Sequence, residues 1–576
     1  MLSMLFAFGA AANAVPAKKL QKVITLTNGT QVSVELRGDE YLSWWEGTDG
    51  TAYRATADDA VFEAFDLEAQ KPAAAARRAR TEQGRVARLA RVKNSLKGAD
   101  DKMRGLGGDH ITYKGVKKGL VVLVDFKNKK FADGHDLEYY KNVINGKDFS
   151  DEEEGYVGSV RDYFLAQSNG QFELDFDVVG PVTMSKNYGY YGNDGAYQKD
   201  EKVYEMIKEA CDGIQDKVNL KDYDWDGDGE ADQVFFLYAG LGQASGGSAG
   251  TVWPHESELR YWPCGVLSYS TGKINTYACA NELQPETQGS SRYISAGIGT
   301  ICHEFSHCLG FADMYDTTGG GGYGMSVFDV MDQGSYNGNG FVPCNYTAFE
   351  RIYAGWVEPI ELIDPATVKD MKSVSDYGRP FIMYNYKNTN EYFLMENRQN
   401  TGWDEGLYGS NGLLIVHVNY VPSRWANNSV NSSAEKIQCC TVVNADGSRE
   451  NTQYSLQGDL YPYEVKGVTM NDEFTDESEP AAKLYTKNSD NSYALGIPIT
   501  NIKRSKGSVS FLVCGGDDKN VIDNTFNGVV DGINGVTVAN KAADNRIYSI
   551  DGRYLGTDAS ALGKGIYVVG GKKIVK

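Results

Sequence analysis

Residues 15 to about 75 alternate apolar and polar side chains, as in "QKVITLTNGTQVSVELRGDEYLSWW" (21–45). That period predicts short strands, with Asn28-Gly29 as the turn between the first two. From Pro72 to about Arg104 the pattern becomes Ala, Arg and Lys at helical spacing. A basic helix behind a small β unit predicts a prosegment and its release region (15–108), although an ordinary connecting helix fits the same pattern. The continuous apolar run "GLVVLVDF" (119–126) predicts a buried strand that opens the next unit. Helical patterns follow near 154–168 and 200–214, strand patterns over 232–240 and 273–283, then a helix over about 295–309. This strand and helix mixture predicts an α+β unit over 109–358. After about Glu358 the helical period fades. "EYFLMENR", "GLLIVHVNY" and "GSVSFLV", spaced by turn residues, predict an all-β unit over 359–515. A Gly/Asp/Asn-rich linker (516–535) and a last small β module (536–576) complete the order.

Composition narrows the reading. A chain of 576 residues is too long for one core. Its 41% hydrophobic and 12% aromatic content excludes a mostly disordered protein. A net charge of −20 argues against a nucleic-acid partner, since little would neutralise phosphates. The apolar run Leu2 to Ala12, ending in Ala12-Asn13-Ala14, predicts an export signal over 1–14, without the usual positive charge before it. A secreted or cell-surface location is therefore expected. Nine cysteines leave at least one thiol unpaired; Cys264 and Cys279 could bridge, whereas Cys302 and Cys308 lie too far apart along one helix.

The chemistry concentrates in "HEFSHCLGFADMYD" (303–316). Residues four apart share a helix face, so His303 and His307 present two imidazoles to one point, with Glu304 beside them. Zinc takes such ligands in a tetrahedron with one position open, and the glutamate supplies a base. Gly310 can adopt positive φ and turn the chain back, which brings Asp313 within reach as third ligand. Asp316 is the weaker candidate for that position. Cys302 and Cys308 point about 100° away from the neighbouring histidines and are expected to be packed thiols. A zinc held there would lower the pKa of a bound water and polarise a carbonyl, with Glu304 placed to take the proton and pass it to the leaving group. Tyr336 is the candidate phenol for the oxyanion. His255 and His417 lie on strands and are expected to be structural.

A second cluster, "DYDWDGDGEAD" (222–232), concentrates carboxylates at alternate positions. Asp224, Asp226, Asp228, the Glu230 carbonyl and Asp232 follow a calcium-loop spacing with Gly229 at the turn. Position 12 is Phe235 and a strand follows, so a structural calcium is expected here rather than a regulatory EF-hand.

The pattern H-E-x-x-H-x-x-G-x-x-D resembles the long zinc signature of the metzincins, whose methionine turn finds a counterpart in Met331 of "GMSVFDVMDQGSYNG". Gly119 to Val513 resembles the M6 family of secreted metallopeptidases, the immune-inhibitor-A-like proteases. "SVRDYFLAQSNGQF", "DYDWDGDGEADQVFFLYAG", "TVWPHESEL", "VFDVMDQGSYNG", "AGWVEP" and "FTDESEP…LGIPITNI" carry the likeness. The resemblance implies a zinc endopeptidase acting on protein or peptide substrates, with a prosegment, a metzincin-like catalytic unit and a β-rich downstream unit. A monomer is expected. Cys308 stands where the family usually has aspartate, and Asp332 follows the turn methionine. The tail "IYSIDGR…GKGIYVVGGKKIVK" resembles the C-terminal sorting domain of type IX secretion cargo, which implies that secretion machinery as a partner. Two other classes stay open: a catalytically dead relative acting in adhesion, and a metallohydrolase with a non-protein substrate. The intact Glu304 weighs against the first, and the lack of a G-x-S-x-G elbow gives the second no support. With no cysteine before Cys211, a thiolate cannot be what keeps a prosegment-bound metal latent.

Overall fold

The computed structural model describes residues 12–13, 15–56, 60–79 and 113–526, apart from 195–198, 288–289, 319–321, 408, 410, 433–436, 451–454 and 489, together with four strands between 547 and 575. The expected export run (1–11 and 14) and most of the expected basic helix (80–112) lie outside the described residues; 67–79 are helical. Met1–Phe526 and Asn527–Lys576 are separate compact units.

The centre of the first unit is a seven-stranded sheet. Its order is Ala12–Asn13, His255–Glu258, Thr276–Pro285, Val234–Leu241, Gly115–Asp125 and Phe172–Thr183, with Tyr293–Ser295 added to Thr276–Pro285. The last four strands of that order run parallel, while His255–Glu258 is antiparallel to Thr276–Pro285. The run Leu120 to Val124 is buried throughout because helices cover both sheet faces. Val121 and Leu123 face one core, shared with the helices Val160–Gln167 and Gly299–Cys308. Leu120, Val122 and Val124 face the other, against the helix Val203–Ile214. The alternating residues of one strand thus serve two cores. Ser159 and Asp162 form a capping box that fixes the start of Val160–Gln167.

The strands Gln21–Leu26, Gln31–Gly38, Ser43–Gly47, Ala52–Ala55 and Val61–Ala64 close into a small barrel. Gly29 has φ +82° in the turn joining the first two, where the Asn-Gly pair predicts one. Beyond residue 358 the strands form a five-stranded and a four-stranded sheet around a core that includes Phe381, Met395 and Phe511. Val521–Ile522, inside the stretch read as a linker, pairs in parallel with Ala366–Met371. In the C-terminal unit the order is Tyr554–Gly556, Ile547–Ser549, Ile566–Val569 and Lys572–Val575, all antiparallel. All nine cysteines are free thiols, so Cys264 and Cys279 do not bridge.

Candidate metal centre

Every residue of the helix Gly299–Cys308 is buried, unlike a surface helix with one apolar stripe. Gly299 permits this: a Cβ there would lie 1.8 Å from the Ser335 carbonyl oxygen. The absence of a side chain lets the loop Gln333–Gly340, with Tyr336, close on the helix. Gly310, at φ +90°, turns the chain back after the helix as its position predicts.

That turn brings Asp313 to the two imidazoles. Asp313 Oδ1 is 3.2 Å from His303 Nε2 and 3.3 Å from His307 Nε2, and the two Nε2 atoms are 3.2 Å apart. All three residues are fully buried. His303 Nδ1 meets the Val330 carbonyl at 2.7 Å, and His307 Nδ1 meets the Phe311 carbonyl at 2.9 Å. A carbonyl only accepts, so both Nδ1 atoms carry the proton and both Nε2 atoms turn a lone pair inward. Three acceptors facing one another at this distance, away from water, repel unless a cation lies among them. The donor set of two nitrogens and one carboxylate oxygen fits a divalent zinc.

Asn428 fixes Asp313 from both sides. Its Nδ2 donates to Asp313 Oδ2 at 2.5 Å, and its Oδ1 accepts from the Asp313 amide at 2.7 Å. Nothing in the sequence marks Asn428, 115 residues downstream, for this contact. Asp316 is not at the centre; it accepts from the Thr318 and Gly322 amides and shapes its own loop. Met331 is fully buried, and its carbonyl accepts from the Met314 amide at 2.9 Å. The unexpected Asp332 ties the loop above it, accepting from the Met325, Ser326 and Gln333 amides. Burial pushes its carboxyl up to about 7.

Glu304 is buried beside the histidines, and its Oε2 has no hydrogen-bond partner among the described residues. Burial raises its carboxyl well above the ordinary value. Hydrogen bonds from backbone amides oppose the shift, and the charges of Asp313 and Glu256 add to it. Its other oxygen accepts from the Val15 amide at 2.7 Å. The N-terminal segment therefore crosses the site. Tyr336 donates its hydroxyl to the Pro16 carbonyl at 2.8 Å, and Trp253 Nε1 donates to the Val15 carbonyl at 3.2 Å. The alternation of residues 15 to 75 predicts strands there but gives no sign of this contact.

His255 is buried against the Trp253 carbonyl and the Tyr277 hydroxyl. His417 contacts Glu391 and stacks on Phe393 and Tyr485. Cys302 and Cys308 are buried thiols. In the acidic loop, carboxylates of Asp224, Asp226 and Asp232 converge to within 4.8 Å of one another. Asp224 also accepts from the Gly227 and Gly229 amides. Asp228 caps the Glu230 amide and lies outside that group, while the Glu230 side chain meets Arg260. Burial, with the neighbouring carboxylates, lifts Asp232 to about 7.

Residues 116–357 match the family described as immune inhibitor A peptidase M6, catalytic domain. Pre-pro-metalloprotease PrtV of Vibrio cholerae serotype O1 is 28% identical over 269 residues, covering 39% of this chain and 28% of that protein. Immune inhibitor A of Bacillus thuringiensis subsp. alesti is 27% identical over 319 residues, 46% of this chain and 45% of the relative. The chain thus spans less than half the length of either relative. Residues 116–357 carry a metallopeptidase domain of the immune inhibitor A, or M6, family.

Proposed function

We propose that the chain is a secreted zinc-dependent endopeptidase of the metzincin type, held latent by its own N-terminal segment. The observation that carries this is the convergence of His303 Nε2, His307 Nε2 and Asp313 Oδ1, with the unpartnered Glu304 carboxylate oxygen beside them. His303, His307 and Asp313 would hold the zinc, which when bound supplies a Lewis acid next to Glu304. Glu304 takes a proton from the attacking water and returns it to the leaving amine. Tyr336 has its hydroxyl on the Pro16 carbonyl; once the segment leaves, the phenol is free to support the oxyanion. Asp224, Asp226, Asp228, Glu230 and Asp232 form a loop that binds a structural calcium. The substrates are extracellular proteins or peptides, the enzyme acts as a monomer, and the C-terminal unit engages a type IX secretion route.

The test measures zinc content and casein cleavage of the full chain, before and after limited proteolysis, with and without chelator. Glu304→Ala should keep stoichiometric zinc and lose cleavage by at least a thousandfold. A chain that binds no zinc, or a Glu304→Ala variant that still cleaves, would overturn the proposal.

A further inference from the structure

The N-terminal segment occupies the cleft in an orderly way. From Val15 onward each residue meets the catalytic unit: the Val15 amide on Glu304, its carbonyl under Trp253, the Pro16 carbonyl on Tyr336, the Ala17 carbonyl on Gln333 and the Lys18 amide on Ala244.

In peptide hydrolysis the glutamate's last task is to protonate the leaving nitrogen. A backbone nitrogen resting 2.7 Å from Glu304 Oε1 therefore marks where that leaving nitrogen belongs. We infer that Val15 to Lys18 occupy the subsites for the amine-side half of a substrate, so that this cleft selects an aliphatic first residue and a basic fourth residue after the cut. The inference rests on the endopeptidase reading above and names its substrate class.

Both ends of the run support it. Val15 is fully buried in an apolar cluster with Trp253 and Ala244 of the catalytic unit and Leu36 of the barrel. A charged or large polar first residue would forfeit that burial. Lys18 Nζ donates to Gln284 Oε1 and, at 2.7 Å, to Asn339 Oδ1. Gln284 cannot turn its amide round, because its Nε2 already donates to the Ser295 and Asn339 carbonyls. Its oxygen is thus fixed toward the ammonium, with the Tyr336 ring 5.7 Å from Nζ. The site offers oxygens and a π face, and would repel a carboxylate.

The experiment uses the full, zinc-loaded chain carrying Lys18→Glu, which loosens its own segment, and the labelled peptide Val-Pro-Ala-Lys-Lys-Leu followed by fluorescence anisotropy. Changing the peptide's fourth residue to glutamate, or its first to aspartate, should weaken binding at least tenfold. With Gln284→Leu added to the host, the fourth-position effect should fall below twofold and the first-position effect should persist. Lys18→Gln serves as host if Lys18→Glu does not fold. In parallel, the new amino termini of a cleaved protein mixture are sequenced. Enrichment of Val, Ala or Ile first and Lys or Arg fourth supports the inference. Equal binding of the glutamate peptide, or a fourth-position effect untouched by Gln284→Leu, overturns it. Cleavage without either preference also overturns it and leaves the endopeptidase reading standing. Selective binding without any cleavage sinks the hydrolytic reading and leaves the subsites supported.

Discussion

Asn428 offers the sharpest test of how the metal centre is held. Its two hydrogen bonds to Asp313 fix the carboxylate rotamer, so that Oδ1 faces the imidazoles. Asn428 sits at φ +45°, a left-handed conformation in which alanine would add strain of its own. Glycine removes the side chain without that penalty, so Asn428→Gly isolates the contact. A bond to an ionised carboxylate contributes about 1.5–3 kcal/mol, and an ordinary amide bond about 0.5–1.5 kcal/mol. Part of that loss falls on folding, since the buried Asp313 amide is left without an acceptor. The part that falls on orientation appears as weaker metal binding, and losing such a supporting contact costs about 10- to 100-fold in affinity. Competition against a chromophoric zinc chelator measures this directly, with the melting temperature of metal-free protein as the control for folding. A zinc affinity within twofold of the parent, in a variant that melts normally, would refute the idea that Asn428 orients the ligand.

Three other outcomes follow from particular contacts. Calcium added to zinc-loaded protein should raise the unfolding midpoint, with about 2.7 kcal/mol gained at a hundredfold excess over Kd. Asp226→Asn should remove most of that gain, as read by scanning calorimetry. Burial lowers His255 to about 4, so the unfolded chain binds an extra proton between about pH 6.5 and 4. Its contribution to stability is present above pH 6.5 and is lost as the pH falls toward 4. It amounts to as much as about 3 kcal/mol, and urea titrations of wild type and His255→Gln should differ in slope over that window. Arg398 is fully buried and pairs with Asp404 and Glu396 while donating to the Phe328 carbonyl. Removing it leaves two buried carboxylates without their cation, so Arg398→Met should lose about 3–5 kcal/mol in denaturant unfolding.

The parts of this site that read directly from sequence are those set by short-range geometry. His303 and His307 share a helix face because four residues make roughly one turn, and Gly310 returns the chain so that Asp313 follows within ten residues. The acidic loop is equally local: Asp224, Asp226 and Asp232 converge within residues 224–232, and Asp228 between them accepts from the Glu230 amide. Contacts that depend on distant chain segments leave no periodic trace. Val15 reaches Glu304 across 289 residues and Asn428 reaches Asp313 across 115. Gln284 and Asn339 read as ordinary amides until Lys18 lies between them. Hydrophobic alternation likewise marked the strands of the N-terminal barrel, but which partner that barrel carries across the cleft depends on three-dimensional closure.

The M6 match ends at residue 357, but the metal centre does not. Asn428 holds Asp313, and Asn431 Nδ2 bridges the Met314 and Cys440 carbonyls at 2.6 Å each. Gln438 accepts from the Gly324 amide at 2.8 Å, and Arg398 reaches the Phe328 carbonyl at 2.9 Å. Asp313 and the loop around Gly324 to Phe328 are therefore fastened by residues beyond 358: Arg398 at the end of Glu391–Arg398, and Asn428, Asn431 and Gln438 in the connection between Gly412–Asn419 and Cys440–Val442. A chain stopped after Val357 would leave the Asp313 amide, the Met314 carbonyl and the Gly324 amide without these partners. The core that Met331 and Phe349 share with Leu394, Leu414 and Trp425 would also open to water, and burying one such side chain contributes about 1.5–3 kcal/mol against a domain's net stability of about 5–15 kcal/mol. Such a fragment should retain no zinc through gel filtration, even though it contains His303, Glu304, His307 and Asp313. A fragment that keeps zinc with an affinity within tenfold of the full chain would show that these distant fastenings are dispensable, and the site would then be the property of the helix and its turn alone.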